Sequence, residues 1–143
     1  MADSLKAFLA ENAIKAEVEE YVASERFVDA DRKPIPWRIQ PLTAERCTQL
    51  LNSCKKKEFV PGSREVTIRT DSDKFVQTLV TECVVFPNLN DAELQDSYGC
   101  TNAGELVKKM LTPGEFTDLA NTVQEVNGYE VGMKDKIQRA KNS

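Results

Sequence analysis

Thr112-Pro113-Gly114-Glu115 constrains this chain more than any other four residues. A threonine hydroxyl suits a helix N-cap. Proline suits the first helical position, where its missing N–H costs nothing, and glutamate three residues after the threonine completes a capping box. Phe116, Leu119, Ala120, Val123 and Val126 then recur on one helical face, and Gly128 supplies the stop. The same grammar runs through the second half of the chain. Asn102 and Glu105 precede Leu106, Val107, Met110 and Leu111; Asn90 and Glu93 precede Leu94, with Gly99 as terminator. Upstream, Phe75, Val76, Leu79, Val80 and Cys83 form a broad apolar stripe on a helix beginning at Asp71 and running to about Val85, where Pro87 stops it. A last helix carries Val131, Met133 and Ile137 and turns polar from Gln138.

The first half reads differently. Asp3 or Ser4 caps a brief helix with Leu5, Phe8 and Leu9 on one face, ending near Asn12. Residues 18–40 read as a β-hairpin: a strand from Val18 to Val28, the turn Asp29-Ala30-Asp31-Arg32-Lys33-Pro34, and a return strand alternating Ile35, Trp37 and Ile39. Pro36 puts the return strand at a sheet edge or beside a bulge. Thr43 caps a helix bearing Cys47, Leu50, Leu51 and Cys54, with Lys55, Lys56 and Lys57 at its C-terminal end. Phe59-Val60, Pro61-Gly62-Ser63 and Val66-Thr67-Ile68 suggest a second, shorter hairpin. The expected fold is α+β, one compact domain over residues 1–143, with a helix and β-hairpins in 1–70 and a mainly helical part in 71–143. There is no long linker and no internal repeat.

Composition narrows the chemistry. The 143 residues contain no histidine, which removes Ser-His-Asp and Cys-His catalysis and histidine-ligated zinc. No apolar run approaches the roughly 20 residues of a membrane helix. The net charge of −4 lacks the basic excess of a general nucleic-acid binder. It is unevenly spread: residues 43–70 carry +3, read as a solvated helix end and exposed loop, with an acidic-partner or phosphate patch as the sharper alternative. Met1-Ala-Asp-Ser-Leu-Lys6 has no charged-then-apolar leader pattern, so the expected location is the cytoplasm. Cys47, Cys54, Cys83 and Cys100 then read as reduced thiols, without C-x-x-C spacing, and the first three of them as small core residues. No phosphate-binding, dinucleotide, nucleophile-elbow or calcium-loop motif is present. Asp91, Glu93 and Asp96 read as helix capping, Glu17, Glu19 and Glu20 as an exposed strand entry, and Tyr21 with Trp37 as cross-strand packing. No cofactor, metal or catalytic residue is expected.

Longer strings are more specific. Val84-Val-Phe-Pro-Asn-Leu-Asn-Asp-Ala-Glu-Leu-Gln-Asp-Ser-Tyr-Gly99, Glu105-Leu-Val-Lys-Lys-Met-Leu-Thr-Pro-Gly-Glu-Phe116 and Val123-Gln-Glu-Val-Asn-Gly128 follow Tyr21-Val-Ala-Ser-Glu-Arg-Phe27 and Trp37-Arg-Ile-Gln-Pro-Leu42. In this order and spacing they resemble the XkdN-like phage tail assembly chaperones of tailed phages and prophage elements. The resemblance covers nearly the whole chain. It implies a non-enzymatic assembly factor, without cofactor, that binds the tail tape-measure protein and keeps it soluble while tube subunits assemble around it. Many such proteins also occur in a frameshift-extended form, which the resemblance makes a second partner. The codons for Ala140-Lys141-Asn142 can spell the slippery pattern A-AAA-AAY. Leu5, Phe8 and Leu9 are the candidate partner contacts. A structural phage tail protein and a small DNA-binding regulator are the rival readings. Presence in purified particles would mark the first, and salt-dependent retention on duplex DNA the second.

Overall fold

The computed structural model describes residues 3–129. The expected helix at Val131, Met133 and Ile137 and the tail at 140–142 lie outside the described residues. The chain opens with α1 (Asp3–Phe8), followed by the short strands β1 (Glu19–Tyr21) and β2 (Trp37–Ile39). Then come α2 (Ala44–Ser53), the hairpin β3 (Lys55–Phe59) and β4 (Val66–Thr70), α3 (Ser72–Cys83) and β5 (Val84–Phe86). Three helices follow: α4 (Ala92–Ser97), α5 (Ala103–Met110) and α6 (Pro113–Val126).

The helical grammar is realised nearly as written. Thr112 accepts from the Glu115 backbone N–H at 3.3 Å, and Glu115 Oε1 accepts from the Thr112 N–H at 2.9 Å, so the capping box is complete. Asn102 and Asp71 cap α5 and α3 as expected. For α4 the cap is Asp91 rather than Asn90: the Asp91 carboxylate takes the Leu94 N–H, while Asn90 belongs to the preceding turn. Gly128, at φ 86°, ends α6 in the left-handed region.

Three expectations in the first half are corrected or narrowed. First, Val18–Val28 is not one strand. Tyr21 pairs with Trp37, and the Ile35 N–H donates to the Phe27 carbonyl at 2.8 Å. Between those two links lie five residues on one arm and only Pro36 on the other, so residues 22–26 leave the strand pairing as a bulge, in which Ala23 and Ser24 are buried. Second, of the two placements that Pro36 allowed, β2 takes the irregular one and not the edge: its register with β5 shifts between Arg38 and Ile39. The sheet order is β1-β2-β5, all antiparallel, and Pro36 falls just before β2, leaving the donors of that strand intact. Third, Lys55, Lys56 and Lys57 do not end a helix. Cys54 caps α2, and the three lysines form the start of β3.

β5 also departs from expectation, because α3 stops at Cys83 and Val84–Phe86 joins the sheet. The second half thus supplies the third strand to the first, and the boundary near residue 70 is no seam.

The core is continuous. Trp37 and Ile39 of β2, Leu50 of α2, Leu79, Val80 and Cys83 of α3, Leu106 and Val107 of α5, and Leu119 and Val123 of α6 are all buried. α3 is the central element and packs on α2, α5, α6 and β5. Phe75 and Phe116, whose spacing predicts that they are largely buried, pack partly buried at its margin, and the ammonium of Lys108 lies 5.6 Å from the Phe116 ring centre. Polar ties hold the periphery. Arg46 of α2 meets Glu82 of α3 at 2.7 Å. The Asn127 side chain accepts from the Leu42 N–H and donates to Cys83 Sγ, fastening the end of α6 to the entry of α2.

Candidate functional site

Among the described residues, no group of three or more Cys, Asp or Glu side chains converges as a metal site would require. Three of the cysteines are buried, and burial is the main cause that pushes the Cys83 thiol up. Cys47 is the exception to the expected core placement. It sits half-buried on α2, with Sγ 3.0 Å from the Tyr129 hydroxyl. The acidic residues singled out by sequence are dispersed. Glu17, Glu19 and Glu20 are exposed at β1, and Asp91 is spent as a cap. Tyr21 and Trp37 face each other across β1 and β2, with Trp37 buried and packed on Phe27, so no base-stacking platform is left open.

Three apolar features mark the surface of the described residues. The first is the N-terminal segment, where Leu5 is 70% exposed, Phe8 81% and Leu9 43%, with Ile14 almost fully exposed. These expected contact residues lie together on α1 and the turn after it, and none joins the core cluster.

The second is a groove of about 210 Å³ walled by Phe27, Ile35, Trp37, Phe86, Pro87, Leu94 and Met110. One wall is the bulging 22–36 connection. It is pinned by Arg26, whose Nη2 donates to the Met110 carbonyl and to Glu115 Oε1, both at 2.7 Å. The same carboxylate oxygen receives the Thr112 N–H. Chiefly that backbone bond, then Arg26, holds the Glu115 carboxyl down at about 2. The capping box of α6 therefore also anchors the groove wall. Arg26 and Arg38 lie over the Phe27 and Phe86 rings at 5.4 and 5.2 Å.

The third place is the β3–β4 hairpin. Its register pairs Lys55 with Thr70, Lys57 with Ile68 and Phe59 with Val66. Strand alternation puts those six residues on one face, and Lys56, Glu58, Thr67 and Arg69 on the other. The second face is tied together by Glu58, which meets Arg69 at 3.0 Å and Lys56 at 3.7 Å. The first is uncovered: Phe59 is 78% exposed and Ile68 64%. Sequence reading located this hairpin but not its significance. The signal was present in the alternation of Val66-Thr67-Ile68, which should have been laid against the lysine run. The groove was not legible, because its lining comes from separate parts of the chain, from Phe27 and Ile35 to Phe86, Leu94 and Met110, that only the fold brings together.

The chain matches the family model of the phage XkdN-like tail assembly chaperone proteins over residues 5–141. It is 30% identical over 139 residues to the uncharacterized protein YqbN of Bacillus subtilis strain 168, covering 96% of this chain and 93% of that one. Identity and coverage are the same against the phage-like element PBSX protein XkdN of that strain. The crystal structure of the protein YqbN superposes with a TM-score of 0.73 at 26% identity, covering 87% of this chain and 95% of that chain.

Proposed function

Since the chain belongs to the phage XkdN-like tail assembly chaperone family, we propose that it binds the tail tape-measure protein and keeps it soluble until tube subunits assemble around it. The family match over residues 5–141 carries this reading. The surface chemistry supports it. A long helical chain with apolar seams aggregates when those seams stay uncovered. A small domain can cover them by lending apolar surface of its own, as a groove or face receiving an amphipathic helix. This chain leaves Phe8, Phe59 and Ile68 in water while burying a complete core elsewhere. Leu5, Phe8 and Leu9 contribute to the contact surface in this reading, and the frameshift-extended form is a second partner.

The proposed role is binding without catalysis, in the cytoplasm of the bacterial host. The sequence has no histidine, and the most perturbed carboxylate, Glu115, is committed to a cap and an ion pair. No helix among the described residues is long and apolar enough to cross a membrane.

Co-expression with the tape-measure protein of the same element tests the proposal. A several-fold rise in soluble tape measure, recovered with the chaperone in a pull-down, is the expected result. A tape measure that stays insoluble and unretained would refute the assignment. Recovery of this chain from purified particles would favour a structural tail protein instead.

A further inference from the structure

The β3–β4 hairpin joins α2 to α3 as a projecting ribbon, closed at its base by the Asp71 N–H donating to the Cys54 carbonyl at 2.7 Å. A two-stranded ribbon with one face in water gains little from its own side chains. Yet this face presents Phe59, Val66 and Ile68 side by side, which folding of the chain alone does not require. Its cations are also uncommitted. Glu58 engages Lys56 and Arg69 on the opposite face, whereas Lys55, Lys57 and the turn residue Arg64 have no carboxylate partner among the described residues. Residues 55–70 carry a net +3 in a chain of net −4. At the Phe27–Trp37 groove, Arg26 is already paired with Glu115 and Arg38 lies over the Phe86 ring.

Resting on the chaperone reading, we propose that the β3–β4 face docks an acidic amphipathic helix of the tape-measure protein. The helix seats its apolar stripe on Phe59, Val66 and Ile68 and sets its flanking carboxylates against Lys55 and Lys57. Apolar burial gives the contact its strength. The lysines give it polarity, favouring carboxylate-flanked stripes over lysine-flanked ones. A nucleic acid fits the cations but offers no counterpart to three adjacent aliphatic and aromatic side chains, and Phe59 is the sole aromatic on the face.

The test uses two synthetic amphipathic helices with the same leucine stripe, one flanked by glutamates and one by lysines, titrated into the full isotope-labelled chain at low salt. The glutamate helix should shift amides of residues 55–70, bind about tenfold more tightly than the lysine helix, and weaken as salt is added. Phe59→Ser with Ile68→Ser should abolish those shifts. Lys55→Glu with Lys57→Glu, which leaves the apolar residues in place, should reverse the preference between the helices. Equal binding of both helices, shifts centred on the groove or the N-terminal segment, or an unchanged preference after charge reversal would overturn the proposal. So would a duplex oligonucleotide that competes for the same amides, or concentration-dependent shifts there without peptide, which would assign the face to a second copy. Because the probe is not the tape measure, this result is independent of the co-expression outcome.

Discussion

α5–α6 and β3–β4 are both short paired elements with apolar residues at regular spacing, and their fates are opposite. Leu106, Val107, Leu119 and Val123 are wholly buried against α3, whereas Phe59, Val66 and Ile68 stand in water. Periodicity decides which residues share a face, and the rest of the chain decides whether that face is covered. α3 is flanked on several sides, so the middles of the α5 and α6 stripes that meet it are buried. The hairpin stands at the joint between α2 and α3, and among the described residues its main packing is of β3 on β4. One region carries the stability of the fold, and the other is free to carry recognition.

Substitutions can break or sharpen that contrast. Leu79→Ala, at the centre of α3 and without solvent exposure, should cost about 2–5 kcal/mol in urea unfolding. A loss below about 1 kcal/mol would move the core elsewhere. Phe116→Ala should cost less, roughly 1–3 kcal/mol, because the ring is only half-buried at the helix margin.

The Glu115 anchor is expected to be smaller and dependent on pH. Its carboxyl is held at about 2, below the ordinary 4.5, so the folded state binds the proton less readily than the unfolded chain. The stabilisation is complete above the unfolded value and is lost as pH falls from about 5 towards 2. Wild-type urea midpoints should therefore fall more steeply than those of Glu115→Gln across that window. Parallel curves would remove the anchor from the account. The smallest expected effect is that of Phe59→Ser with Ile68→Ser, within about 0.5 kcal/mol per site. A large loss would show that the hairpin face is structural.

Much of this fold was legible because capping is local chemistry. Thr112, Asn102 and Asp71 act within one turn of themselves, so their spacing suffices. Asn90 and Asp91 differ by one position, and only geometry shows which of them accepts the helix N–H. The β-sheet was less legible because its pairings are long-range. Val84-Val-Phe86 follows directly on a helical stripe, and only the presence of β2 beside it makes it a strand. Tyr21 and Val22 on one side and Phe27 and Val28 on the other suggest one strand through residues 22–26, but the arms between the Tyr21–Trp37 and Phe27–Ile35 links are unequal in length, which no local window reveals. Of the apolar surface, Leu5, Phe8 and Leu9 were legible as one helical face, and all three are exposed. The hairpin face was obscured by treating Lys55–Lys57 as the end of a helix.

Amide hydrogen exchange of the chain alone and in the presence of the tape-measure protein that it is proposed to bind tests the division between core and open face most directly. Free protein should show slow exchange through α3, α5 and α6 and fast exchange across residues 55–70. Complex formation should slow the hairpin amides and leave the helical core unchanged. Hairpin amides that exchange equally fast in both states, with new protection confined to the core helices, would contradict the account.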